Sequence, residues 1–404
     1  MATSLFVPVT RIGRVQEHPN ASMLGIAQVL GYQVVTGFVE DENGPISRNF
    51  LKGQYDEKGK RIPIEYIPDC GWVIKDRDGN ATMVAGDQPV ECVHFNFQNK
   101  EGDLVVYFPA DTVIPDEWAE KFGVKTLLRS GNRVAKIALR GEPSFGLVVG
   151  LPEGVDWQEG DNVADYYSAQ KYEPPIKTTA GDAAPHNSEI DPYFDKFTDI
   201  QNGRLYSSVF QKGERVVMSE KLHGTNCRVG ILNGHRVAGS MELRRSPPAD
   251  MDFSKSTYWF PWSIPGVDAL LTELSKTHRV VELFGEVYGN SIQRGFVYDA
   301  GMGIGFRSFG IKADDKFLDW DDFTSKCMHF NIPMVPVLYD GPFDLEKMMP
   351  ILEEYTTLGN APVMEGGVVV PVPERHDPKV GRAALKYISY QYDLLKNKPD
   401  CKDI

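Results

Sequence analysis

The stretch Lys221-Leu222-His223-Gly224-Thr225-Asn226 follows a strand-like run, Arg215 to Glu220, and decides how the rest of the chain reads. A lysine amine is a nucleophile once it has lost its proton. A glycine three residues later lets a phosphate come close, because glycine has no side chain to obstruct it. The same pattern describes a solvated lysine before a turn glycine, and taken alone it does not choose between the two. The residues downstream do.

In order come Arg244-Arg245-Ser246, Phe284-Gly285-Glu286-Val287-Tyr288-Gly289, Phe306-Arg307-Ser308-Phe309-Gly310-Ile311, Glu365-Gly366-Gly367-Val368-Val369-Val370 and Leu385-Lys386-Tyr387-Ile388-Ser389. With Glu220-Lys221, this ordered series resembles the motifs of the covalent nucleotidyltransferases, the superfamily of polynucleotide ligases and capping enzymes. Within it, His223-Gly224-Thr225-Asn226 is similar to the corresponding stretch of RNA ligases.

The resemblance implies roles. Lys221 is the nucleophile that takes AMP from ATP, and Lys386 binds phosphate beside it. Glu365 is a ligand of Mg²⁺ or Mn²⁺, or of its water shell, and Arg245 meets phosphate or ribose. Glu220 reads the adenine amino group, Phe309 stacks on the base, and Glu286 meets the ribose, with Glu282 competing on the same strand face. Leu222 lies beside the nucleotide, Asn226 hydrogen-bonds the RNA end or the nucleotide, and His223 acts in a step after lysine adenylation.

Elementary chemistry sets conditions on these roles. A lysine is mostly charged at neutral pH, so attack on a phosphate requires burial, a cation or a metal to favour the free amine. Phosphoryl transfer needs cations gathered around the phosphate, and carboxylate oxygens suit Mg²⁺ or Mn²⁺. Strand alternation sends Glu220 and Lys221 to opposite faces, so the strand must end or twist near Ser219 for both to reach one nucleotide. Ile388 stands where ligases often carry a second lysine, and the same alternation puts it on the face of Lys386.

At 404 residues with 42% hydrophobic and 25% charged, the chain is expected to form two domains of an ordinary globular protein. A net charge of −13 argues against indiscriminate polyanion binding, so nucleic-acid contact must be local. Lys121, Lys125, Arg129, Arg133, Lys136 and Arg140 follow one another without an intervening acid and are the candidate stretch, or else a merely solvated face. Cys70, Cys92, Cys227, Cys327 and Cys401 are scattered without Cys-x-x-Cys spacing, which fits reduced thiols. Met1 to Phe6 carries no secretion-signal pattern and no apolar run suffices for a membrane helix, so the cytoplasm is the expected location.

Residues 171–200, with Pro174-Pro175, Pro185 and Asp191-Pro192, read as a linker. Before it, 1–170 holds short strands at Ile26 to Leu30, Gln33 to Val39, Leu104 to Phe108, Val134 to Leu139 and Gly146 to Val149, with a helix at Asp116 to Phe122 capped by Asp116. Glu17-His18-Pro19-Asn20-Ala21-Ser22-Met23-Leu24 and Ser144-Phe145-Gly146-Leu147 resemble the oligonucleotide-binding fold of tRNA-binding modules, so an OB-like all-β barrel is expected, with 41–95 a polar insertion. After the linker, 201–404 alternates strands with helical stripes at Val267, Leu270, Leu271 and Leu274 and at Leu345, Met348, Met349, Leu352 and Tyr355. The expected class is α+β, antiparallel sheets with flanking helices.

An OB-like domain in front, and too few residues after Lys386 for another barrel, make the chain resemble the Deinococcus-type RNA ligase family. That family implies ATP-dependent sealing of a 3′-hydroxyl to a 5′-phosphate at a nick, with RNA on the 3′-hydroxyl side. A GTP-dependent capping-type transferase and a non-catalytic RNA-end-binding protein on a ligase scaffold stay open beside it.

Overall fold

The computed structural model describes residues 5–21, 23–40, 48–57, 61–67, 71–75, 81–86, 92–173, 188–189, 193–289, 292–293, 296–359 and 363–395. The chain divides into two units, Ser4–Glu173 and one that carries Pro174–Ile404. Among the described residues no helix is long and apolar enough to cross a membrane.

The first unit is β-rich. Leu24–Val29 and Tyr32–Glu40 form a hairpin whose two turn residues, Leu30 and Gly31, both have positive φ. Turns of that hand match the twist of the flanking strands. Cys92–Phe97, Arg48–Tyr55, Arg61–Ile67, Gly71–Lys75 and Ala81–Gly86 extend the same sheet, so the described part of the 41–95 insertion prolongs a sheet. Leu104–Phe108 lies between Val9–Arg11 and Leu147–Gly150 and brings Val106 and Phe108 into a core with Val7, Val9 and Tyr167.

Two local expectations change here. The helix α1, Asp116–Lys121, starts after Pro115, so Asp116 is its first residue and caps nothing with its side chain. Its carboxylate instead accepts from the Asn132 amide and pairs with Lys125. The strand expected at Val134 to Leu139 starts at Lys136 and pairs with Glu142–Phe145 across a turn at Arg140-Gly141, both at positive φ.

The second unit is α+β. Its larger sheet runs in the order β1 (Ser188–Glu189), β6 (Arg244–Arg245), β5 (His235–Gly239), β4 (Thr225–Leu232), β7 (Val280–Gly289), β8 (Ile304–Ala313) and β9 (Lys316–Phe317). The smaller runs β2 (Gln201–Asn202), β12 (Leu385–Ile388), β11 (Gly366–Pro371), β3 (Arg215–Lys221) and β10 (Val337–Pro342). One core gathers Val217 and Val370 of the small sheet with Val229, Leu283 and Ile311 of the large one. The helices α2 (Pro265–Leu274) and α3 (Trp320–His329) add Leu270, Leu271 and Phe323 to it. A third helix, α4, spans Leu345–Ile351 with Pro350 inside it and Leu352 as its C-cap; Tyr355, expected in its apolar stripe, is 72% exposed.

The expected linker is only partly separate. Most of 174–192 lies outside the described residues, but Ser188–Glu189 pairs with Arg244–Arg245, and Phe194 and Phe197 are buried. Two phenylalanines four residues or fewer from Asp195 were apolar enough to join a core, and they did.

Candidate active site

β3 ends at Lys221 and β4 begins at Thr225, so Leu222-His223-Gly224 carries the chain from the small sheet into the large one. Lys221 stands on that seam. Leu222 is 3% exposed and belongs to the core with Val217 and Cys227, so its side chain serves packing. Gly224 is required by packing: a Cβ there would meet the Val287 carbonyl oxygen at 2.4 Å and Glu286 Cγ at 2.9 Å. The neighbour that demands glycine is the backbone of β7.

Lys221 Nζ donates to Glu365 Oε1 at 2.8 Å, and His223 Nδ1 lies 3.5 Å from Glu365 Oε2. Glu365 precedes β11, whose Gly366 pairs directly with Lys221 across the sheet. Burial works to raise the Glu365 carboxyl, but Lys221 and His223 outweigh it and hold the group below the ordinary carboxylate range. The charge nearest the lysine is therefore an anion, which stabilises the ammonium; a cation from Lys386 had been expected there. Lys386 is placed by register instead. It pairs with Val368, which pairs with Ser219, so it shares a sheet face with Lys221 but sits one row away. Ile388 takes the row of Lys221, across Gly366.

Glu220 and Lys221 alternate as expected, and β3 runs on past Ser219 with a register shift against β10 between Met218 and Ser219, an irregularity of the kind that adds twist. Glu220 is 1% exposed, and burial pushes its carboxyl up to about 6, against the pull of the Thr356 hydroxyl and the Arg307 guanidinium. Arg307 is itself tied to Asp299, Tyr288 and the Met334 carbonyl.

β7 and β8 set the remaining candidates. Phe284 pairs with Gly310 and Gly285 with Ser308, leaving Phe309 as the extra residue of a bulge. Bulges re-aim a side chain beside functional sites. Phe309 is half-buried and meets Phe197 edge-on at 4.8 Å, while Phe284 is fully buried. Glu286 pairs with Asn226 and borders the space beside Gly224. Glu282, the competing carboxylate, pairs with Gly230 and Lys312, one row and more away from Lys221's turn; burial raises it to about 8. Arg245 is buried over Tyr258 at 5.0 Å, two strands from β4.

Three buried tyrosines and threonines of this site had no role in the sequence reading. Tyr298 accepts from the His223 backbone N–H at 2.8 Å, Tyr392 meets His223 Nδ1 at 2.9 Å, and Thr356 flanks Glu220. Tyr392 is 169 residues from His223, and no local pattern marks it.

Residues 214–388 match the RNA ligase family model. That stretch is what the chain has in common with RNA ligases. Naegleria gruberi RNA ligase shares the fold: an apo variant superposes with a TM-score of 0.60 at 20% identity, covering 97% of this chain and 98% of that one. A variant of that ligase with ATP and Mn gives 0.59 at 20% identity over 96% and 97%, and one with AMP and Mn gives the same figures. No curated protein matches by sequence. The matched stretch begins one residue before β3 and ends on the last residue of β12, so it takes in every residue of the seam around Lys221 except Tyr392.

The first unit's cationic stretch is less free than its sequence suggests. Lys125 pairs with Asp116 and Glu120, Lys121 lies over Trp118, and Arg133 pairs with Asp111 and stacks on Tyr172. Arg129 and Arg140 are exposed. His18 and Ser144, of the tRNA-binding-module resemblance, are buried and hold strands together: the His18 ring meets the Leu139 carbonyl, and the Ser144 hydroxyl accepts from Val35 N–H.

Proposed function

We propose that the chain is an ATP-dependent RNA ligase that seals a 3′-hydroxyl to a 5′-phosphate through AMP held on Lys221, at nicks with RNA on the 3′-hydroxyl side, as the Deinococcus-type family does. The observation that carries it is the contact of Lys221 with Glu365 at the crossing between two sheets, a half-exposed nucleophile with its own carboxylate. In the first step Nζ, after losing a proton, bonds to the α-phosphorus while the bond to pyrophosphate breaks. AMP then passes to the RNA 5′-phosphate, and the 3′-hydroxyl displaces it.

The residues present fit a nucleotide. Asn226 Oδ1 is buried without a hydrogen-bond partner among the described residues, and a buried polar atom of that kind favours a ligand able to donate. Glu220 would accept from the adenine amino group, Phe309 would stack on the ring, and Arg245 and Lys386 would meet phosphate. Among the described residues no three His, Cys, Asp or Glu side chains gather for a metal. Mg²⁺ and Mn²⁺ suit such a site, because one or two carboxylates with substrate phosphates hold them. Glu365 would supply that carboxylate, with Glu286 near, and the ion would neutralise charge on the phosphates.

The test is to incubate the protein with ATP and Mn²⁺, then with GTP and Mn²⁺, and locate any mass increment by peptide mass spectrometry. An AMP increment on Lys221, with sealing of nicked duplexes bearing RNA at the 3′-hydroxyl, is expected. A GMP adduct alone would move the reading to a capping-type transferase, and no adduct at all to an RNA-end-binding protein.

A further inference from the structure

Residues 194–197 precede the matched stretch and are fastened to the larger sheet of the second unit. The guanidinium of Arg228, a buried side chain of β4, donates to the Phe194 carbonyl and lies over the Phe194 ring at 4.0 Å. The Lys312 ammonium of β8 pairs with Asp195. Phe197, itself buried, then enters a group of rings, with centroids of Phe309 at 4.8 Å, Phe284 at 5.1 Å and Phe317 at 5.7 Å. Arg382 lies over Phe317 at 3.9 Å and over Phe197 at 5.3 Å, and two of its nitrogens donate to the Glu374 carboxylate. The Phe197 ring is thus held from several sides.

These contacts place the Phe309 ring. Phe284 and Glu286 alternate onto one face of β7, and Asn226 is the direct partner of Glu286. Phe197 meets Phe284 and Phe309 together, so Phe309 lies toward the face that carries Glu286 and Asn226. Strand pairing does not fix Phe309, because it is the extra residue of the bulge opposite Phe284 and Gly285. The ring beside it does: the planes of Phe197 and Phe309 cross at 66°, close to the edge-to-face arrangement that aromatic pairs prefer.

We propose that Phe197 is a positioning residue that sets the plane of the Phe309 ring, and through it the stacking surface offered to a purine base. The residues that precede the matched stretch thereby complete the nucleotide site. This inference rests on Phe309 as the base-stacking ring of the ligase reading, and the experiment keeps the two apart.

The test is a double-mutant cycle on equilibrium binding of α,β-methylene ATP with Mg²⁺, measured by calorimetry on the full chain. The carbon bridge of that analogue prevents transfer of AMP, so binding alone is read. Phe197→Leu keeps an apolar side chain and removes the ring; Phe197→Met replaces it if urea unfolding shows the leucine variant not to fold. Phe309→Leu should weaken binding, and Phe197→Leu should weaken it about three- to tenfold. Added to Phe309→Leu, Phe197→Leu should change binding less than about twofold, since the ring it positions is gone. Equal losses in the two backgrounds would mean general damage to the fold and overturn the proposal. Unchanged binding in either single variant, no binding by wild type, or failure of both Phe197 variants to fold overturns it as well. Separately, wild type that binds the analogue but forms no AMP adduct on Lys221 from ATP overturns the ligase reading, and the cycle still decides the role of Phe197.

Discussion

Lys221 Nζ and Glu365 Oε1 are 2.8 Å apart although 144 residues separate them in sequence, because Lys221 and Gly366 are direct partners on neighbouring antiparallel strands. The pair stabilises the charged amine, so attack requires that the carboxylate be drawn off. Lys221→Ala should abolish the AMP adduct. Glu365→Gln frees the amine but removes the carboxylate that would hold Mg²⁺ or Mn²⁺, and should lower the rate of adduct formation by about 10–100-fold. Rapid-quench measurement of adduct formation checks both, and a Glu365→Gln rate equal to wild type would show the carboxylate to be a bystander.

Glu220 gives a pH dependence. Its carboxyl titrates at about 6 because it is buried, so lowering pH through 6 converts an ionised acceptor to a neutral one. Charge-assisted hydrogen bonds exceed neutral ones by about 1 kcal/mol, so KM for ATP should rise about two- to threefold between pH 7.5 and pH 5.5, toward about fivefold once protonation is complete. In Glu220→Gln this rise should vanish. If the variant keeps the same profile, another group controls it.

Glu282 is a stability group with the opposite consequence to an ion-paired acid. Burial raises its folded-state carboxyl to about 8 from 4.5, so the native chain holds the proton more tightly than the unfolded one. Stability from this group is complete below about pH 4.5 and is lost as pH rises toward 8. Glu282→Gln should therefore gain on wild type between pH 5 and pH 8 by on the order of a few kcal/mol, read from urea midpoints at each pH. Parallel curves would mean that Lys312 and Arg228 keep the acid ionised throughout.

Gly224→Ala should destabilise the protein by about 1–3 kcal/mol, since the new Cβ overlaps the Val287 carbonyl oxygen. Denaturant unfolding measures this. Unchanged stability with lost nucleotide binding would return the glycine to a role in phosphate approach.

In the first unit, Arg129→Ala with Arg140→Ala should weaken duplex RNA binding and reduce the slope of log affinity against log salt by about 1 to 2. Lys125→Ala should leave the slope unchanged, because Asp116 and Glu120 already neutralise it. Self-adenylation should be unaffected in all three. Equal slopes for the paired and exposed cations would remove this stretch from the interface.

Much of the second unit was legible from order along the chain. The strands that carry Glu286, Phe309 and Lys386, and the one that follows Glu365, lie within a few residues of where alternation and turn residues put them. Less legible was anything that depends on a third element. Leu222 looked like a ligand contact, and its side chain became core, because the connection that holds it crosses between two sheets. Phe309 is turned by a bulge that no two-residue period announces. Lys125 looked like a phosphate contact until the helix Asp116–Lys121 brought two acids to it.

By itself the sequence determined which chemical groups exist and in what order: a lysine before His-Gly-Thr-Asn, carboxylates at 220, 286 and 365, and alternating strands able to carry them. Only the tertiary structure decided which of them meet. Pairing between strands far apart in the chain sets the neighbour of Lys221 to an anion, and a helix past the matched stretch sets the neighbour of His223 to a phenol. Such neighbours are chosen by sheet register and core packing, which are properties of the whole fold and leave no trace in the residues on either side of a motif.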